Sequence, residues 1–319
     1  MVELALQPIE LGVGQPEAGE ERDVLDVRAG QSGHRRMILN GMSTPAIRPM
    51  TPADVDPAAE LILGNDWGVR REWLEYATSQ PACVPLVAEA GGEIVGTGVG
   101  TANGPVGWIG TIFIAPDRRG RGLGRALTQA IIDRLEGAGC RSLVLVATSE
   151  GRRLYERMGF ELQSRYHILQ AIGLPPADET DGVRRFEPAD LEAIERLDRA
   201  GTGEDRAHAI RRYARPDTTR VTTGEDDAVE GFVIRAPWGG GATIARTPDA
   251  ALRLLTARRR AAGPEGRVRV GLLDENDEGL ARLTEVGLRL TWSAPRMFRG
   301  EPLVWRPEWI WGQFNHAMG

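Results

Sequence analysis

The sequence predicts an α/β protein with a mixed sheet, an α+β arrangement built as two tandem copies of one unit, the second copy degenerate. Three observations carry that reading. Apolar β-branched runs alternate with segments of helical period through most of the chain. Two separate stretches recur in the same order in the second half. A glycine- and arginine-rich segment falls between a strand pattern and a helix pattern, as connecting loops of α/β units do.

Residues 1–45 hold no sustained period of 3.6 or 2 and are read as a disordered tail, with Met37 and Met42 as alternative natural starts. Residues 46–172 read as strand, helices, two strands, the glycine loop and its helix, another strand and another helix. Residues 173–182, "GLPPADETDG", have the proline, glycine and acidic content of a linker. Residues 183–319 form the second block. Its opening "VRRFEPADL" repeats "IRPMTPADV", Val183 matching Ile47 at an offset of 136 residues. Further on, "EGLARLTEVGLRL" repeats "EGRRLYERMGFEL", Glu278 matching Glu150 at an offset of 128.

Composition narrows the classes of function. The net charge of −6 lacks the basic footprint of a nucleic-acid binder. Two cysteines, Cys83 and Cys140, are too few for a disulfide framework or a thiolate metal cluster. The four histidines show no metal spacing, so no metal is expected. No apolar run has the length of a membrane helix and no signal-peptide layout opens the chain, so a cytoplasmic protein with no membrane partner is expected. Self-association stays open.

The segment Arg118 to Arg125 places three glycines and four arginines in eight positions. Gly120, Gly122 and Gly124 allow turns and close approach of a ligand to the backbone, and the arginines point to an anion. The apolar run Ile112, Phe113, Ile114 precedes it, and Leu123, Leu127, Ile131 and Leu135 follow at helical spacing. The glycines therefore stand at a helix N-terminus, where free N–H groups and the helix dipole favour phosphate. A nucleotide P-loop needs lysine, and the chain contains none. A dinucleotide fingerprint needs a glycine where Arg125 stands, and an acidic residue after the next strand where Ala147 and Thr148 stand.

Arg119-Gly120-Arg121-Gly122-Leu123-Gly124 resembles the Arg/Gln-x-x-Gly-x-Gly/Ala signature of the GCN5-related N-acetyltransferases (GNAT). "WIGTIFIAP" is similar to the strand leading into that family's loop, and "LVLVATSEGRRLYERMGF" to its closing strand and helix. The tandem arrangement resembles a bacterial subgroup with an acetyltransferase-like C-terminal domain. The resemblance implies a catalytic domain over 46–172, a degenerate one over 183–319, and acetyl-CoA as cosubstrate. It also implies that Ile112, Phe113 and Ile114 offer backbone groups to the pantetheine arm, while Arg119, Gly120, Arg121, Gly122, Leu123, Gly124 and Arg125 hold the pyrophosphate. Tyr155 matches the tyrosine that protonates the leaving thiolate, a task suited to a phenol of pKa about 10. Thr148 stands where many relatives carry asparagine and offers fewer hydrogen bonds to the cofactor.

The acceptor side is less determined. Trp67, Trp73, Tyr76 and Trp108 are candidates to line it, although Trp73, Tyr76 and Ser79 also share a helix face that suits core. No acidic base stands on the strand entering the loop. Glu89, Glu150 and an ordered water chain are the candidates, Thr111 holding a water at most, and His167, His208 and His316 read as structural. The expected activity is direct transfer of acetyl, in a ternary complex, to the primary amine of a small molecule. An acyl-CoA sensing module without turnover, a protein N-acetyltransferase and a structural assembly subunit are the alternatives.

Overall fold

A computed structural model describes residues 45–65, 68–177, 182–224 and 227–319 of the chain. The expected N-terminal tail, apart from Pro45, lies outside the described residues, as do Trp67 and the centre of the linker. The first block runs β1 (Ala46–Pro49), α1 (Val55–Leu63), α2 (Arg71–Ser79), β2 (Cys83–Ala90), β3 (Glu93–Asn103), β4 (Val106–Ile114), α3 (Leu123–Gly137), β5 (Ser142–Val146), α4 (Ser149–Glu156) and β6 (Glu161–Ile172). The second runs β7 (Val183–Arg185), α5 (Leu191–Thr202), α6 (Ala207–Tyr213), β8 (Thr219–Thr223), β9 (Val229–Arg235), β10 (Gly241–Ala245), α7 (Pro248–Ala262), β11 (Arg267–Leu273), α8 (Asp277–Glu285), β12 (Arg289–Gly300) and β13 (Ile310–Gly312).

Up to β12 the second block repeats the first element for element, and the physical cause of the shared opening motif is local. In the first copy Arg48 grips both carboxylate oxygens of Asp54 at 2.7 and 2.8 Å, and the Thr51 amide donates to the same carboxylate. In the second, Arg184 grips Asp190 at 2.7 Å on both oxygens, and the Glu187 amide donates to it. The device ties the first strand to the turn before the first helix. Three strands, not two, separate α2 from α3. Turns at Gly91-Gly92 and Gly104, all with positive φ, fold the segment into successive hairpins.

The copies are not stacked as separate sheets. An eight-stranded sheet has the order β1-β2-β3-β4-β5-β12-β6-β11, and a five-stranded sheet the order β13-β10-β9-β8-β7. Each copy's closing strand is thus held by the other copy, β12 lying between β5 and β6, and β6 between β12 and β11. One core fills the space between β2–β4 and α3, with Leu86, Ile109, Leu127, Ile131 and Leu135 buried. Close packing there depends on Gly100, where a Cβ would stand 2.5 Å from Ile131. On the opposite face Trp73, Val99 and Phe113 share a core with Ile210, Phe232, Phe314 and Met318 of the second copy. Among the described residues no helix is long and apolar enough to cross a membrane.

Candidate active site

The glycine loop follows β4 through a short 3-10 turn, Pro116–Arg118, and ends at Gly122, which caps α3 from the left-handed region at φ 80°. Gly120 has φ 73°. A Cβ at either glycine would meet nothing within 4 Å, so the requirement is conformational and the space beside them is open. Neither a side chain nor a carbonyl caps the start of this helix. The N–H groups from Gly120 to Arg125 have no hydrogen-bond partner among the described residues. Unbonded amides at a helix N-terminus suit an anion. Arg121 and Arg125 are exposed beside it. Arg119 points elsewhere, donating to the Ile114 carbonyl at 3.0 Å and lying over the Phe113 ring.

Beside this loop the sheet opens. β4 and β5 pair in parallel only from Val106–Trp108 to Ser142–Val144, and beyond Trp108 they diverge. Beyond Trp108 the strand pairs of β4, including those of Gly110, Phe113 and Ile114, run to β3, and β5 does not continue alongside. A bulge stands in that stretch. Thr111 has φ 53°, and Thr111 and Ile112 together oppose Gly98. The extra residue keeps Ile109, Ile112 and Ile114 on the α3 side, and turns Gly110 and Phe113 to the other. Trp73 Nε1 donates to the Thr111 hydroxyl at 3.0 Å and Thr97 Oγ1 to the Thr111 carbonyl at 3.1 Å, fixing the bulge.

Tyr155 of α4 packs edge-on against Phe160 and belongs to the buried core that also holds Ile114, Ala115, Leu123 and Ala147, residues drawn from both sides of this opening. Burial pushes its phenol up to about 12, so it is protonated at neutral pH. Its hydroxyl has no hydrogen-bond partner among the described residues. Thr148 caps α4, its Oγ1 accepting from the Gly151 amide at 3.1 Å.

The aromatic residues expected on the acceptor side are mostly core. Trp73, Tyr76 and Trp108 are 2, 6 and 0 % exposed. Trp73 and Tyr76 stack on α2 and meet Trp238 of the second copy, so helical spacing marked a face buried by another domain. Trp108 lies under the Arg296 guanidinium. Glu89 on β2 is paired with Arg48 of β1, and Glu150 sits at the exposed start of α4, 3.9 Å from Arg119. His167 is held between Ser293 and Asp274, and His208 between Tyr76 and Asn103, as structural histidines. His316 differs, since neither of its ring nitrogens is bonded among the described residues. A surface hollow lined by Met50, Ser79, Gln80, Pro85 and Arg134 contains none of these residues.

The corresponding places in the second copy are closed by the chain itself. Thr247 caps α7, its Oγ1 accepting from the Ala250 amide at 3.2 Å, and Pro248 has no N–H to offer. β10 and β11 do not pair, because β13 bonds to β10 and lies against β11 in the gap between them. Leu283, fully buried on α8, stands at the position matching Tyr155.

Two family models match the chain, the Acetyltransferase (GNAT) family over residues 54–160 and an Acetyltransferase (GNAT) domain over 194–312. The aminoglycoside N(6')-acetyltransferase type 1 of Stenotrophomonas maltophilia is 34% identical over 139 residues, 39% of this chain and 90% of that protein. Among solved structures, a protein of Pyrococcus horikoshii aligns with a TM-score of 0.71 at 22% identity, covering 91% of this chain and 100% of the other. A tandem GNAT protein from the clavulanic acid biosynthesis pathway aligns at 0.55 and 14% identity, covering 81% and 99%. At these identities the structures speak for the fold.

Proposed function

The chain belongs to the acetyltransferase (GNAT) family, and on that premise we propose that residues 46–172 transfer acetyl from acetyl-CoA to the primary amine of a small molecule, by direct attack in a ternary complex. The run of unbonded amides from Gly120 to Arg125, opening beside the divergence of β4 and β5, carries the proposal. These groups fit a pyrophosphate, with Arg121 and Arg125 adding charge-assisted bonds. The edge of Ile112–Ile114 that faces the divergence of β4 from β5 would hold the pantetheine amides as a partial strand. When bound, acetyl-CoA supplies the activated acetyl group. Tyr155 keeps its proton at neutral pH and delivers it to the departing sulfur. The similar Stenotrophomonas maltophilia protein is an aminoglycoside N(6')-acetyltransferase, which supports a small-molecule amine as acceptor.

Residues 183–319 act in this reading as a degenerate copy that binds no coenzyme A and walls the acceptor side. Calorimetry on the intact chain should return one acetyl-CoA site. A thiol-release assay with an aminoglycoside, an amino sugar, a polyamine and an amino-acid amide should show amine-dependent turnover. Binding without amine-stimulated release would favour a sensing module. Release only with peptides bearing free N-termini or lysine would favour a protein acetyltransferase.

A further inference from the structure

After β13 the chain crosses the face of β3 and β4 that points away from α3. Thr101 Oγ1 donates to the Ala317 carbonyl at 2.7 Å and Asn103 Nδ2 to the Met318 carbonyl at 2.6 Å. Gly110 makes room for the crossing, since a Cβ there would stand 2.4 Å from the His316 carbonyl oxygen. His316 is thereby set next to the bulge at Thr111, on the side of β4 opposite α3. Its ring stacks on Trp292, with centroids 5.4 Å apart and planes at 14°, and meets the Tyr166 ring edge-on at 4.9 Å. β4 lies on one side of the opening in the sheet, and β12 and β6, which carry Trp292 and Tyr166, lie beyond β5 on the other. His316 therefore spans the opening from the face across from the tyrosine acid's helix.

The three described histidines divide by their partners. His167 and His208 have both nitrogens engaged. Both nitrogens of His316 are unbonded among the described residues, and neither is sealed from solvent. Deep setting in the molecule, with the Arg70 cation nearby, pulls the imidazole down to about 4. It stays neutral at physiological pH, with a lone pair free.

We infer that the acceptor amine is received on this side of the β4 bulge and that His316 takes its proton, an inference that rests on the acetyltransferase reading above. The nitrogen lone pair forms the N–C bond to the thioester carbonyl carbon, and the carbonyl π electrons move to oxygen. The nitrogen, made acidic by that bond, gives one proton to His316. The oxygen electrons re-form the carbonyl as the C–S bond breaks toward sulfur, which receives the Tyr155 proton. The imidazolium then loses its proton to water and the tyrosinate regains one, leaving an amide and a thiol. An imidazole held this low would not strip a free ammonium ion. It suits a proton that becomes acidic only as the bond forms.

The variants His316→Gln and His316→Ala test the inference in the full chain. Both should bind acetyl-CoA as the wild type does and lose about 10²-fold or more in kcat of amine-dependent thiol release, with added imidazole restoring part of the loss in His316→Ala. A wild-type kcat in folded His316→Gln would overturn it, and so would a raised amine KM with kcat intact. Carbethoxylation by diethyl pyrocarbonate, read by peptide mass spectrometry, gives an answer without turnover. His316 should react faster than His167 and His208, and equal or slower reaction would refute the open imidazole. Wild-type chain that binds acetyl-CoA yet acetylates no amine would instead count against the reading on which the inference rests.

Discussion

Gly110→Ala adds one methyl group where β4 meets the last segment of the chain. The new carbon would stand 2.4 Å from the His316 carbonyl oxygen, and 2.6 and 2.7 Å from Cβ and Cα of Ala317. Unstrained carbon contacts need about 3.5 Å, so the segment must retreat by roughly 1 Å. Backbone atoms cannot swing aside as a side-chain tip can. The same retreat pulls on the bonds from Thr101 and Asn103, both buried, whose lengths of 2.7 and 2.6 Å leave little reach. Overpacking of this kind costs about 1–3 kcal/mol, and each buried polar group left short of its partner about 1–3 more. With partial relaxation the sum is on the order of 2–5 kcal/mol. At about 2–4 °C per kcal/mol, Tm should fall by roughly 4–20 °C in a calorimetric scan. Acetyl-CoA affinity should hold, because the Gly120–Arg125 amides lie beyond the C-terminal end of β4, ten or more residues further along the chain than Gly110. Amine-dependent turnover should fall with the displaced segment. A Gly110→Ala chain with wild-type Tm and turnover would refute the seating of residues 313–319 on β4.

Gly122→Glu should abolish acetyl-CoA binding in a titration while the chain stays folded, since its side chain meets open space but brings a carboxylate to the proposed anion seat and must adopt φ 80°. Tyr155→Phe should lower turnover by about 10²-fold or more with acetyl-CoA affinity kept, and near-normal turnover with chemistry rate-limiting would make Tyr155 a packing residue. The Arg48 guanidinium holds the Asp54 carboxyl well below the usual carboxylate range, and Arg184 lowers that of Asp190. A depressed folded pKa gives stability that is present above the unfolded value of about 3.9 and lost as pH falls toward the folded one. Asp54→Asn should therefore be less stable at pH 7, by about 1.5–3 kcal/mol, and show a flatter loss below pH ~4 in urea titrations.

What the sequence made legible was what is decided locally. Positive φ at Gly120 and Gly122 can be met cheaply only by glycine, so the loop announced itself. The Arg48–Asp54 and Arg184–Asp190 devices each close within six residues, so the repeat kept a readable mark. The extra hairpin was present as Gly91-Gly92 and Gly104, and was merged because the flanking strands are apolar almost throughout. Trp73 and Tyr76 showed a common face but not what covers it, because Trp238 and Tyr213 belong to the other copy. His316 read as structural for the same reason. Gly110, Tyr166 and Trp292, which define its surroundings, lie far from it in sequence and on three different strands.

Strand exchange was illegible because β6 and β12 carry the same alternation whether they pair at home or across. Its consequence is that the copies depend on each other for more than contact. A piece comprising only residues 183–319 would lose β6 from between β11 and β12, exposing two long edges and their unpaired backbone groups. It would also uncover Ile210, Phe232 and Phe314, which share a core with Trp73 and Val99. Coenzyme stoichiometry therefore has meaning only on the intact chain. The same dependence gives the degenerate copy a task. In the first copy the gap between β4 and β5 stays open beside an uncapped helix, whereas in the second β13 fills the gap and Thr247 caps the helix. A strand seated there by backbone hydrogen bonds is fixed at its start, and the seven residues after it are laid across β4 up to the bulge. The strand that fills the second copy's gap anchors the segment that carries His316, and on the proposed reading a repeat that binds no coenzyme would in this way still contribute to the acceptor side of its twin.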